Sequence, residues 1–151
     1  YIFAKGESYL AGCIFRNNLL KLDRHVTMAD DGGLQTLHVK NGRPGDLFLF
    51  LSYSGIHYDY SKYAAALSER GIKPCLITAF SDSALARQCD TVLLIPKSER
   101  VIGKVANYSS MISLTYTLQV IYSLIFNQDY QENYRVKHEA DSFIFTSFAE
   151  I

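Results

Sequence analysis

The chain has no tryptophan, only three prolines and three cysteines, and no net charge, with 15 Lys and Arg against 15 Asp and Glu. Cys13, Cys75 and Cys89 are too scattered for a disulfide framework, and none forms the C-x-x-C pair of a zinc or thioredoxin-like redox site. They read as reduced core thiols. His25, His38 and His138 have no metal-ligand spacing and read as structural or surface residues. Neutrality removes any global attraction for nucleic acid or anionic lipid, so an anion site has to be local. No internal repeat or low-complexity segment occurs. A basic stretch leading into an apolar run is also missing at the start: the chain opens on Tyr1-Ile2-Phe3-Ala4, as if already in a strand. The expectation is a cytoplasmic fragment whose upstream segment lies outside this chain.

What is present fits one domain with a full core, since 151 residues at 48% hydrophobic match the common domain size. One stretch, 106–128 (ANYSSMISLTYTLQVIYSLIFNQ), has no charge and the length of a membrane span. Eight Asn, Ser, Thr and Gln side chains from Asn107 to Ser123 interrupt it, which disfavours an isolated span. No membrane contact is expected. The stretch reads as a long helix buried on most sides, by core or by a subunit partner.

Elsewhere short apolar runs alternate with amphipathic stretches. Strands are expected at Tyr1–Ala4, His25–Ala29, Leu47–Leu51, Cys75–Ala79 and Thr91–Ile95, each rich in aliphatic, aromatic or β-branched residues. Helices are expected near Tyr9–Leu22, Leu34–Lys40, Tyr58–Arg70 and Ser83–Gln88, with Gly71 a helix stop. This alternation predicts βαβ units and a parallel sheet covered on both faces. Leu47–Leu51 has no polar alternation, as a fully covered central strand should not. After Gln128 the chain becomes charged and polar, then ends near an apolar SFIFTSF of unassigned role.

In open α/β sheets ligands sit beyond the carboxyl ends of the strands. The loops there are Lys5-Gly6-Glu7-Ser8, Asp30-Asp31-Gly32-Gly33, Ser52-Tyr53-Ser54-Gly55, Ser81-Asp82-Ser83 and Pro96-Lys97-Ser98-Glu99. Ser52–His57 would form the turn at the start of the Tyr58 helix, where unpaired amides and the helix dipole favour an anion. Gly55 would let the backbone approach that ligand, and Ser52 and Ser54 add hydroxyl donors. The same serines would equally serve as helix caps. Other motifs fail. The windows around Ser52 and Ser54 do not read G-x-S-x-G, Gly103-Lys104 lacks the rest of a P-loop, and Gly6 begins no G-x-G-x-x-G fingerprint.

Taken together, Gly6-Glu7-Ser8, Ser52-Tyr53-Ser54-Gly55, Leu76-Ile77-Thr78, Ser83-Ala84-Leu85-Ala86 and Cys89-Asp90 resemble the SIS (sugar isomerase) phosphosugar-binding domain over residues 1–128. The resemblance implies a three-layer, flavodoxin-like α/β sandwich around a five-stranded parallel sheet, dimeric, without a cofactor. Its phosphosugar contacts would be Gly6, Ser8, Ser52, Ser54, Gly55, His57, Ser98 and Glu99. Within that family the chain is most similar to the effector domain of RpiR-type bacterial regulators, which implies a sugar phosphate as partner. DNA would be met only through an N-terminal helix-turn-helix domain outside this chain. Residues 129–151 are expected to be a C-terminal tail of unassigned role. A free-standing aldose–ketose isomerase is the alternative, with Glu99 as base and His57 as ring-opening group. Two positions depart from the family pattern: Ala4 stands where glycine is common, and His57 where threonine is.

Overall fold

The computed structural model describes residues 1–29 and 31–148. Asp30, in one of the expected ligand loops, lies outside them. Four strands form a parallel sheet: β1 (Ile2–Ala4), β2 (Leu49–Leu51), β3 (Cys75–Thr78) and β4 (Thr91–Leu94), in the order β1-β2-β3-β4. Between them run α1 (Glu7–Leu20), α2 (Gly32–Asn41) and α3 (Tyr58–Ser68), and after them α4 (Tyr108–Gln128) and α5 (Tyr130–Phe148).

The period-2 geometry of a strand sorts its residues onto two faces. Ile2, Ala4, Leu49, Leu51 and Ile77 turn to one core with Ala11, Phe15 and Leu19 of α1 and Leu114 and Leu118 of α4. Phe3, Phe48, Phe50 and Leu76 turn to the other with Val39 of α2 and Tyr60, Ala64 and Leu67 of α3. The second core is aromatic: Phe3 meets Phe50 edge to face at 5.3 Å, and Tyr60 packs on both. This is the three-layer α/β arrangement, and β2 is its central strand. Leu47, which the uninterrupted apolar run places inside, is 57% exposed, because the ladder begins two residues later.

Among the described residues the sheet has four strands, not five. His25–Ala29 makes only an isolated parallel bridge, Ile2 to Met28, with the Ile2 N–H donating to the Thr27 carbonyl at 2.9 Å. An edge segment has neighbours on one side only, and β1 offers it three residues before Gly6, at φ +58°, turns the chain into α1. The bridge still has a topological consequence. Its chain lies on one side of β1 and β2 on the other, so strand order reverses at β1, and the loops after β1 and β2 flank that switch point.

Two other expectations change. Ser83–Gln88 is not a helix but a turn ending in a 3-10 segment, Ala86–Gln88, because the Ser83 hydroxyl accepts the Ala86 N–H at 3.2 Å and closes the chain locally. α4 is covered on one side only within this chain, through Ser110, Leu114 and Leu118, while Ile112 and Tyr116 are 71% and 70% exposed. By length and composition α4 is apolar enough to cross a membrane; here it packs along α1, where the Asn18 amide donates to Gln119 at 3.1 Å. The charged tail is the helix α5, tied to α4 by the buried Asn133 amide donating to the Ile125 and Phe126 carbonyls.

The two-faced register predicts unequal responses to truncation. Phe50→Ala, at 0% exposure, should lower stability by about 3–5 kcal/mol. Leu93→Ala, on the 38%-exposed edge strand, should cost less than about 1 kcal/mol. Urea unfolding measures both, and equal losses would contradict the register.

Candidate functional site

A cleft of about 190 Å³ opens where the strand order reverses. It is lined by the loop after β1 (Lys5, Gly6, Glu7, Ser8), the turn after β2 (Ser52, Tyr53, Ser54, His57) and the start of α4 (Lys104, Asn107, Ser110, Met111). The helices α1, α3 and α4 therefore all begin at this cleft. Their N-cap residues are Gly6, His57 and Asn107, and none makes a side-chain cap hydrogen bond. α2 is different: its N-cap Asp31 accepts the Leu34 N–H at 2.9 Å, and it lies outside the cleft. The first amides of a helix have no intrahelical partner, and the dipole adds partial positive charge. Two such ends, those of α1 and α3, meet at the cleft and favour an anion there, while the start of α4 is taken by the Glu99 carboxylate.

The turn after β2 is held from several sides. The Ser52 N–H donates to Ile77 at 3.1 Å, and the Tyr53 carbonyl accepts from both the Thr78 hydroxyl and the Ala79 N–H at 2.9 Å. The Ser52 hydroxyl accepts the Gly55 N–H at 3.1 Å, which leaves its own proton free to donate toward the cleft. Gly55 does not line the cleft. Its φ of +63° is left-handed, and a Cβ there would collide with the Ser83 side chain, so glycine is required by close packing behind the turn. Burial and the nearby Lys5 ammonium lower the His57 imidazole below its ordinary value, against the pull of Asp59, so it is neutral near pH 7.

Gly6, Ser8, Ser52, Ser54 and His57 thus come together, while Ser98 and Glu99 stand apart. The Ser98 hydroxyl pairs with that of Ser109 at 2.7 Å. The Glu99 carboxylate, 10% exposed, accepts the Ser110 N–H at 2.9 Å and the Ser109 and Ser110 hydroxyls at 2.9 and 2.7 Å, with Lys104 3.6 Å away. Burial alone would push its pKa up; the Ser110 amide and the two hydroxyls outweigh burial and hold the carboxyl down at about 2. The Tyr53 hydroxyl joins this loop to the turn after β2, donating to the Glu99 carbonyl at 2.9 Å and accepting its N–H at 2.8 Å. Lys5, which the sequence places in the first ligand loop without a role, also lines the cleft, and Lys104, Asn107 and Ser110 are cleft residues that the sequence pattern does not single out. The Asn-Tyr-Ser-Ser before the long apolar run is an N-cap signature that would have located two of them.

A larger apolar cleft, about 590 Å³, lies at the other end of the strands against the C-terminal halves of α1 and α4, where the dipoles disfavour an anion.

Because Glu99 is more acidic in the fold than its ordinary 4.5, it stabilises the protein fully above about pH 4.5 and loses that effect as pH falls toward about 2. Glu99→Gln should lower stability at pH 7 by about 1.5–3 kcal/mol and flatten the acid limb. Urea unfolding from pH 2 to 7 measures this, and an acid limb of unchanged slope would contradict it.

Comparison with known proteins follows the same lines. None of the curated proteins matches the chain. Among solved structures, the Vibrio vulnificus NanR protein, complexed with ManNAc-6P, superposes with a TM-score of 0.83 at 19% identity, over 98% of this chain and 56% of that one. This chain therefore spans little more than half the length of that protein. The sugar isomerase domain of an RpiR transcription factor from Sphaerobacter thermophilus gives 0.78 at 23% identity, over 93% and 76%. The c3406 protein of E. coli CFT073 gives 0.71 at 16%, over 84% and 68%. These likenesses establish a shared fold. The SIS domain family model matches residues 1–125, and the chain belongs to the SIS domain family.

Proposed function

We propose that residues 1–128 bind a sugar phosphate and act as the effector-sensing domain of a bacterial RpiR-type transcriptional regulator. The observation that carries this is the meeting of the α1 and α3 N-termini, neither with a side-chain cap, at the switch-point cleft. The phosphate sits on the Ser52–His57 turn, held by the α3 amides and the Ser52 and Ser54 hydroxyls, with Gly6 and Ser8 beside it. Gly55 shapes the turn. Neutral His57 offers a hydrogen bond in place of the hydroxyl that threonine would supply. The sugar extends toward α4. Ser98 and Glu99 act one layer back, by fixing the start of that helix.

The likeness to the RpiR and NanR regulators supports the regulatory half of the proposal. DNA would be contacted by a helix-turn-helix domain upstream, which suits a neutral effector domain. The protein would act in the cytoplasm as a homodimer, using the exposed apolar side of α1 and α4, where Leu10, Ile14, Ile112 and Tyr116 stand open. Ligand binding would bias two pre-existing arrangements of that dimer. For the isomerase alternative, Glu99 is a poor base: a carboxylate held at about 2 by three donors has little affinity for a proton at neutral pH.

The test is a thermal-shift and calorimetric panel of fructose 6-phosphate, glucose 6-phosphate, ManNAc-6P, arabinose 5-phosphate and inorganic phosphate, with the unphosphorylated sugars as controls. At least one sugar phosphate should raise the Tm while its parent sugar does not. Ser54→Ala should weaken that binding about tenfold or more, as expected for a hydrogen bond to a charged group. Binding that survives Ser54→Ala unchanged, or no binding anywhere in the panel, overturns the proposal.

A further inference from the structure

We infer that Asn107 is the specificity residue for the sugar, its side-chain oxygen accepting an O–H or N–H from the ligand. This rests on the phosphosugar reading above. Asparagine is a favoured N-cap because its side-chain oxygen takes the N–H two or three residues into the helix. Asn107 occupies that position on α4 yet makes no such bond. The reason is visible next to it. The Ser110 N–H, the third of the helix and the usual partner, donates instead to Glu99 at 2.9 Å. Glu99 also takes the Ser109 and Ser110 hydroxyls, so the start of α4 is capped from a neighbouring loop.

The Asn107 side chain is thereby released from capping. Its Oδ1 is shut off from solvent and has no hydrogen-bond partner among the described residues, and the residue lines the cleft. A buried acceptor without a donor is unfavourable, and a ligand that brings a donor removes the penalty. A carbonyl oxygen cannot accept from a phosphate dianion, which has no proton to give. The group it recognises is therefore a hydroxyl or amide N–H on the sugar, and an analogue lacking that donor is rejected. Met111 and Leu114 also line this side of the cleft.

The experiment uses Asn107→Ala and the near-isosteric Asn107→Leu, titrated with inorganic phosphate and with the tightest sugar phosphate of the panel above. Both variants should bind the sugar phosphate about tenfold or more weakly and inorganic phosphate within about twofold of wild type. Without ligand, their Tm should equal or exceed that of wild type, whereas Asp31→Ala, which removes the working cap of α2, should lower it. Sugar-phosphate affinity that is unchanged, or affinities for both anions that fall together, would overturn the inference. So would a Tm loss as large as that of Asp31→Ala, which would mark Asn107 as a cap. If wild type binds no sugar phosphate, the proposed function falls, and this inference with it.

Discussion

The site depends on one electrostatic constraint: three helices begin at the same cleft, and none is capped by its own N-cap side chain. The start of α4 is taken by Glu99, and the unpaired amides left at α1 and α3 would be unfavourable in an ordinary core. They are tolerable at a solvent-reaching cleft, and they become useful when an anion sits there. α2 supplies the internal contrast, since the helix away from the cleft keeps a working Asp31 cap. A chain with no net charge can thus present a local positive field, from helix-terminal amides together with Lys5 and Lys104.

The packing around the cleft serves to keep those amides aimed. Tyr53 bridges the β2 turn to the backbone of Glu99, and Glu99 in turn holds α4, so hydrogen bonds join two loops from different strands. Behind them, Gly55 lies so close to Ser83 that no side chain fits, which fixes the turn from the far side. Glu99 is the residue whose role differs most from its expectation. In sequence it is a carboxylate after the last strand, a natural place for a base. In the fold its oxygens are occupied by α4, and what it offers the site is geometry.

Much of the fold is legible in sequence, because hydrophobic period and turn chemistry are local signals. The Leu and Phe alternation around β2 already separates the two cores, and Gly6 and Gly55 mark real left-handed turns. The segment His25–Ala29 is the counter-example: its pattern is strand-like, yet pairing at a sheet edge depends on how many residues β1 offers, which no local pattern states. Ser98, Glu99 and Asn107 were obscured for the same reason. Their roles follow from which donor takes which acceptor across residues 98–110, a competition settled only in three dimensions.

The central claim, that an anionic ligand sits on the converging helix N-termini, is tested most directly by amide chemical-shift mapping during titration with a sugar phosphate. The account predicts that the largest shifts fall on the amides of Ser54 to Asp59, with smaller ones at Glu7, Ser8 and the start of α4. Largest shifts at the opposite end of the sheet instead, around Phe15, Leu19 and Ile121 of the apolar cleft, would contradict it.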